Sequence, residues 1–175
     1  MTVTIRNVRP GDIPALIDLA TETFLDSFGD YHTAENCRAF IAQSHTTEIY
    51  RRAIIDPAQY LLAAEKEGQL LAYLYAKPAM LPLSPKLEND LKDAHELSKI
   101  YTRRPAQSQG LGLRLIQNWE GWAAAQNIGH LVLGVWSENE AAQRFYIRQG
   151  YSKISQYKLT VGDVQDIDYI YFKAL

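Results

Sequence analysis

The sequence predicts an α/β (α+β) fold: one mixed, mostly antiparallel sheet with helices on both faces. Three observations point there. Strand-like segments are interspersed with segments whose apolar residues recur every three or four positions. Residues 60–65 and 69–77 read as strands joined by the short polar turn Lys66-Glu67-Gly68, a hairpin signal. Residues 151–160 and 165–172 form a second, closing hairpin around Gly162-Asp163.

Taken in order, residues 3–8 read as a first strand. Asp12 is placed to cap the next helix, with Pro14 in its first turn. Ile13, Leu16, Ile17, Ala20, Phe24 and Phe28 mark that helix's core face, and Asp18, Glu22 and Asp26 run along another. From Pro10 to Cys37 there are six acids and no lysine or arginine. Such a stretch is either a solvated helix face or an acidic rim that attracts a cationic substrate. Residues 33–42 and 46–55 are expected as two short helices. The alternation within 60–77 is imperfect, as in strands buried on both faces. Residues 79–93, with Pro82 and Pro85, are expected as a long loop with a short helical piece beside the functional site. Residues 96–102 form a strand that Pro105 prevents from continuing. From Gly110 a helical period takes over, with Leu111, Leu115, Trp119 and Trp122 on one face. Residues 130–136 read as a buried strand. Ser137 and Glu140 then form a capping box for a helix ending near Gly150.

Composition sets the bounds. A chain of 175 residues is expected to be one domain, 1–175, with a good core. The net charge of −2 gives no basic field for nucleic acid. No segment approaches the ~18 apolar residues of a membrane span, and the first residues lack the apolar block of a signal peptide. Cys37 is the only cysteine, so no internal disulfide forms and a cytoplasmic location is expected. No histidine pairs with Cys37 or acids at metal-ligand spacing, so no metal is expected. The sequence carries no signal of oligomeric state and leaves a homodimer open.

The chemistry concentrates at two places. The first is Gln107-Ser108-Gln109-Gly110-Leu111-Gly112, at a helix N-terminus. Unpaired amides and the helix dipole favour an anion there, and the glycines let a ligand approach the backbone. Pyrophosphate suits such a turn; an ordinary strand-to-helix turn is the alternative. Arg103, Arg104 and Arg114 surround it. The second place is the helix after residue 137. Asn139, Ala142 and Tyr146 share one face, and Ala141 and Phe145 the adjoining one. Phe145 is expected to supply the core contact and leave Tyr146 free.

The segment from Asn139 to Tyr151 (NEAAQRFYIRQGY) resembles the second signature of the GCN5-related N-acetyltransferase (GNAT) family. The Gln107–Gly112 turn resembles that family's acyl-CoA pyrophosphate loop, with Ser108 where glycine is frequent and Pro105 one place late. The resemblance spans the chain. It implies the family's acyltransferase fold, in which the strand before the glycine turn splays from its neighbour to admit acetyl-CoA. It implies that Ile100, Tyr101 and Thr102 lend backbone groups to the pantetheine arm, with the Ile100 amide on the acetyl carbonyl. It also implies that Asn139 contacts the arm and that Tyr146 protonates the leaving thiolate. Glu96 is the expected base for an amine that is protonated at neutral pH. It is expected on the same strand face as Ile100, with His95 a weaker candidate on the other. Within the family, Thr23–Phe28 (TFLDSF), the Ile100–Thr102 strand, Leu133–Asn139 (LGVWSEN) and the ending Gly162–Asp166 (GDVQD) look most like bacterial spermidine/spermine N-acetyltransferases of the PaiA type, so a polyamine acceptor is expected. A peptide or protein amine is the rival acceptor. A non-catalytic acyl-CoA-binding module is the rival function, against which Glu96 and Tyr146 argue. A dinucleotide-binding domain is disfavoured because the turn lacks a third glycine in register.

Overall fold

The computed structural model describes residues 2–175, apart from the side chain of Glu88. Seven strands form one sheet in the order β1-β2-β3-β4-β5-β7-β6. The first half comprises β1 (Thr4–Asn7), β2 (Tyr60–Lys66), β3 (Gln69–Pro78) and β4 (His95–Thr102). The second comprises β5 (His130–Trp136), β6 (Ser152–Val161) and β7 (Val164–Ala174). Every pairing is antiparallel except β4 with β5. The β2–β3 turn holds Glu67 and Gly68 at φ 54° and 81°, the twist that suits a two-residue hairpin.

Both faces of the sheet are covered, which accounts for the imperfect alternation of β2 and β3. On one face Leu62, Leu74, Ala76 and Leu97 pack against α5 (Leu111–Ala125) and α6 (Glu140–Arg148). The fully buried Trp119 sits at the centre of that layer. Its truncation to alanine would cost about 3–5 kcal/mol. On the other face Leu61, Ala63, Tyr73 and Tyr75 pack against α1 (Ile13–Phe28) and α3 (Thr47–Ile55). The polar side of α1 stays outside, as its apolar spacing requires.

Two elements shape the site. Helix α2 (Ala34–Ser44), capped by Thr33, meets the β6–β7 turn, where Asn36 donates to Asp163. Gly162 there has φ 63°, and a Cβ on it would collide with Asn36. The hairpin is thereby fastened over α1 and α2. The 79–93 segment carries the short α4 (Pro85–Asp90). It lies against β5 and β7 through Leu81, Leu83 and Leu91.

Two expected caps form differently. Asp12 makes no cap bond to α1; its carboxylate accepts from Arg6 and from the Arg9 amide, closing a 3₁₀ turn over Pro10–Asp12. Helix α6 is not opened by a Ser137–Glu140 box. Asn139 is its cap, with Oδ1 accepting from the Ala142 amide at 3.0 Å. Asparagine is as good a cap as serine, and it stands two residues nearer the helix body.

Candidate active site

Strands β4 and β5 pair over only three positions, from His95 with Leu131 to Leu97 with Leu133. Beyond them the strands separate. Ser98–Lys99-side backbone and the Val135–Trp136 end of β5 become opposite walls of a cleft, lined also by Ile100, Tyr101, Asn139, Ala142 and Tyr146.

The β3–β4 ladder fixes which backbone groups enter it. The Arg103 amide donates to the Leu71 carbonyl. Antiparallel pairs alternate between bonded and non-bonded, so Tyr73/Tyr101 is also a bonded pair. Ile100 and Thr102 therefore turn their backbone groups away from β3, Ile100 into the cleft and Thr102 toward the glycine turn. Tyr101 does not: its backbone is used by the ladder, which corrects its expected role, and its ring lines the cleft instead. The Thr102 carbonyl accepts from Gln107 Nε2, which holds the glycine turn to the strand end.

Opposite Tyr75 and Ala76 the register shifts, and β4 carries one extra residue, Ser98. The bulge inverts side-chain alternation. Leu97 and Ile100 share the α5 face, while Glu96, Lys99 and Tyr101 share the other. Glu96 is thus not on the same face as Ile100, as even spacing along a regular strand would require.

The turn itself is built as its residues require. Ser108 and Gly110 have φ 62° and 74°, and Gly110 is the N-cap of α5 with no side-chain cap. Among the described residues, the amides from 108 to 113 meet no hydrogen-bond acceptor. A Cβ on Gly110 would meet nothing within 4 Å, and one on Gly112 only Phe145, at 3.9 Å. The turn is open, donor-rich and at the positive end of a helix.

The surrounding charges are partnered within the chain. Arg103 pairs with Glu22, and Arg104 lies 3.3 Å from Asp26. Arg114 donates to the Val3 carbonyl. The acidic face of α1 is therefore largely neutralised by the arginines beside the turn and is no free rim for a cationic substrate.

On the α1 side of the sheet the cleft opens into a cavity of about 430 Å³. Phe28, Ser98, Lys99, Tyr101 and Trp136 line both spaces. The cavity holds Glu96, whose Oε2 accepts from the Met80 amide at 2.9 Å, so the 79–93 loop does stand beside the site. Lys99 is half-buried there, donates to the Ser44 carbonyl at the end of α2, and lies over the rings of Tyr50 and Tyr75. Burial brings its pKa down to about 8. His45, hydrogen-bonded to Tyr50, is held neutral by burial and by Lys99, with a pKa of about 4.

Tyr146 and Asn139 lie on one face of α6 and both line the cleft, as their spacing predicts. Tyr146 is nevertheless more buried than Phe145. Its ring meets Phe145 and Tyr151 edge-on, so it packs as well as facing the cleft. Burial, with a smaller contribution from Tyr101, raises its pKa and keeps the phenol protonated. His95 is structural: Trp119 Nε1 donates to its Nδ1 at 2.9 Å, leaving Nε2–H for the Ala58 carbonyl at 3.0 Å.

Asp166, Asp168 and Tyr157 of the closing hairpin, and Trp136, also line the cavity. The sequence alone gives none of them a role in the site. The available signal was two acids at alternate positions of a strand that continues inward as Ile170 and Phe172.

A split sheet with a donor-rich glycine turn at the mouth of the split defines an acyltransferase class of fold. The sequence profile of the acetyltransferase (GNAT) family matches residues 13–151. The chain belongs to that family, and its class is that of an N-acetyltransferase. It is 28% identical over 175 residues to an uncharacterized N-acetyltransferase of Lactobacillus delbrueckii subsp. lactis, covering 99% of this chain and 98% of the other. It is 25% identical over 164 residues to one of Mycobacterium tuberculosis, covering 94% and 98%. The crystal structure of PaiA N-acetyltransferase from Thermoplasma acidophilum, in complex with coenzyme A, superposes with TM-score 0.81 at 19% identity over the full length of both chains. The ribosomal-protein-alanine N-acetyltransferase of Brucella melitensis superposes with TM-score 0.74 at 19% identity, covering 98% of this chain and 99% of that one. No described helix is long and apolar enough to cross a membrane.

Proposed function

We infer that the chain transfers an acetyl group from acetyl-CoA directly to a primary amine in a ternary complex, and that a polyamine such as spermidine is the acceptor. One observation carries the reading. The cleft passes through the sheet, with Tyr146 on its α6 side and the Glu96 cavity opening on its α1 side. An amine approaching from the cavity attacks on one side of a thioester carbonyl held in the cleft. The sulfur then departs toward Tyr146.

The residues present fit acetyl-CoA. The free amides from 108 to 113 receive the pyrophosphate at the helix N-terminus. The Ile100 and Thr102 backbone lies along the pantetheine path, and the Ile100 N–H is the donor for the acetyl carbonyl. Asn139 spends Oδ1 on its cap, so its Nδ2 donors are the groups it offers to the arm. Bound acetyl-CoA supplies the activated acyl group.

Glu96 receives the proton of the incoming ammonium, directly or through a water. Its Oε2 is held by Met80, and its other oxygen has no partner among the described residues. Tyr146 keeps its O–H at neutral pH and donates it toward the departing thiolate. As a weakened acid it acts chiefly through that hydrogen bond.

Support for a polyamine comes from the cavity and not from α1. Glu96, Asp166 and Asp168 face Lys77 and Lys99, and Lys99 is already committed to Ser44 and two rings. The PaiA-type resemblance, including Leu133-Gly-Val-Trp-Ser-Glu-Asn139, points the same way. The test is thiol release from acetyl-CoA against a panel of polyamines, amino acids and peptides. Thiol release with peptide amines and none with polyamines would move the acceptor to the peptide class. Binding of acetyl-CoA without turnover on any amine would leave a binding module.

A further inference from the structure

Asp168 lies on β7 opposite Trp136 of β5, beside the mouth of the split. It is 6% exposed and lines the cavity. One carboxylate oxygen, Oδ2, accepts from the Tyr157 hydroxyl at 3.2 Å, while Oδ1 is buried with no partner. The position is built. Tyr157 reaches across to Gly134 of β5, where a Cβ would fall 2.7 Å from the Tyr157 hydroxyl oxygen. Glycine at 134 is what lets Tyr157 hold Asp168.

Among the described residues, no cation forms an ion pair with this carboxylate. Lys99 is engaged with Ser44, Tyr50 and Tyr75, Lys77 reaches the Met80 sulfur at the exposed edge, and Asp166 lies 3.0 Å from His32. Among the described residues no three His, Cys, Asp or Glu come together as metal ligands. A half-satisfied buried carboxylate is costly unless a partner arrives. The partner that matches a cavity walled by Phe24, Phe28, Phe40 and Trp136 is an organic ammonium on an aliphatic chain.

We propose that Asp168, oriented by Tyr157, is a specificity-determining residue that holds the non-reacting ammonium of a di- or polycationic acceptor, while the other end of the acceptor enters the cleft past Glu96. This rests on reading the chain as an amine acetyltransferase. Glu96 attends the nitrogen that must lose a proton; Asp168 attends one that must keep it. Tyr157 is a positioning residue, and Gly134 gives it room.

The test compares spermidine with n-octylamine, a monoamine of similar length. The wild type should favour spermidine in kcat/KM by at least about tenfold. Asp168→Asn should abolish that preference through KM, with kcat and acetyl-CoA affinity little changed, and Asp168→Glu should restore part of it. Gly134→Ala, which displaces Tyr157, and Tyr157→Phe should weaken spermidine in the same sense. A second readout is calorimetric binding of spermidine to the coenzyme A complex, where no transfer occurs. Binding that is lost in Asp168→Asn supports the anchor even if the wild type acetylates no amine, in which case the transfer reading alone fails. A wild type that acetylates monoamines as well as spermidine overturns the anchor and leaves the transfer reading standing. Spermidine binding that is absent, or unchanged by Asp168→Asn in a folded protein, also overturns it.

Discussion

Glu96 and Ile100, four positions apart on β4, project to opposite faces of the sheet. The bulge at Ser98 is the cause, and its effect is to put the Glu96 carboxylate and the Ile100 side chain on two sides of one strand. The carboxylate looks into the cavity on the α1 side of the sheet. The Ile100 amide stays in the plane of the sheet, between that cavity and Tyr146.

Tyr146→Phe removes one oxygen and keeps a ring that packs against Phe145 and Tyr151. Stability should change little. Turnover at saturating substrates should fall by about 10²-fold or more, while acetyl-CoA affinity moves much less. Turnover near the wild-type value would leave Tyr146 with packing alone.

Gly112→Val tests the phosphate turn more cleanly than a change at Gly110. Gly110 has φ 74°, so any side chain there strains the backbone. At Gly112 the new Cβ meets only a 3.9 Å contact with Phe145, so the fold should persist. Acetyl-CoA binding measured by calorimetry should weaken by at least about 1.4 kcal/mol, a tenfold change. Unchanged affinity would remove the turn from the site.

Glu22→Gln should leave the KM of any amine acceptor unchanged, because Glu22 already serves Arg103. A rise in amine KM after this change would return the outer acidic face of α1 to the recognition of substrate.

Burial raises the Asp168 pKa from 3.8 to about 6, against the smaller opposing effect of the Tyr157 bond. Asp166 adds to the rise, and Tyr101 and Glu96 also face the cavity. Between those pH values the folded state binds the proton and the unfolded state does not, so this carboxylate costs stability that is fully felt above pH 6. Asp168→Asn should therefore stabilise the free protein at pH 7.5 by up to about 3 kcal/mol. The gain should shrink as pH falls through 6 and vanish below about 4. Denaturant melts at both pH values measure it. A destabilised variant at pH 7.5 would show that the carboxylate serves the fold.

His45 acts with the opposite sign. Its pKa falls from 6.5 to about 4 through burial and the charge of Lys99. The unfolded chain takes up that proton first, so stability drops as pH falls from 6.5 toward 4. His45→Gln should flatten that part of the stability profile. A profile unchanged by the substitution would assign the acid sensitivity to His95, whose pKa burial also lowers.

The strands, the three-to-four-residue spacing of α1 and α5 and both hairpins were legible because each is written in local pattern. The turn at Gly110 and the shared face of Asn139 and Tyr146 were legible for the same reason. What escaped depends on partners far away in the chain. A one-residue bulge at Ser98 has no local signature, yet it moved Glu96 to the other face. The acids of α1 looked free because Arg103 lies 81 positions from Glu22. Asp168 matters because Gly134 admits Tyr157, a relation among three strands that only the assembled sheet displays.

The short β4–β5 pairing has a mechanical consequence. Three residue pairs are the only ladder joining β1–β4 to β5–β7 among the described strands, so the sheet is two plates with a seam. Bending at the seam breaks fewer hydrogen bonds than bending anywhere else in the sheet. On the proposed reading, a pantetheine arm laid along Ile100 and Thr102 would act as a rivet between the plates. Amide exchange at these two residues and at Gly134 to Trp136 should slow together when acetyl-CoA is added, while exchange in the β2–β3 hairpin stays as it was.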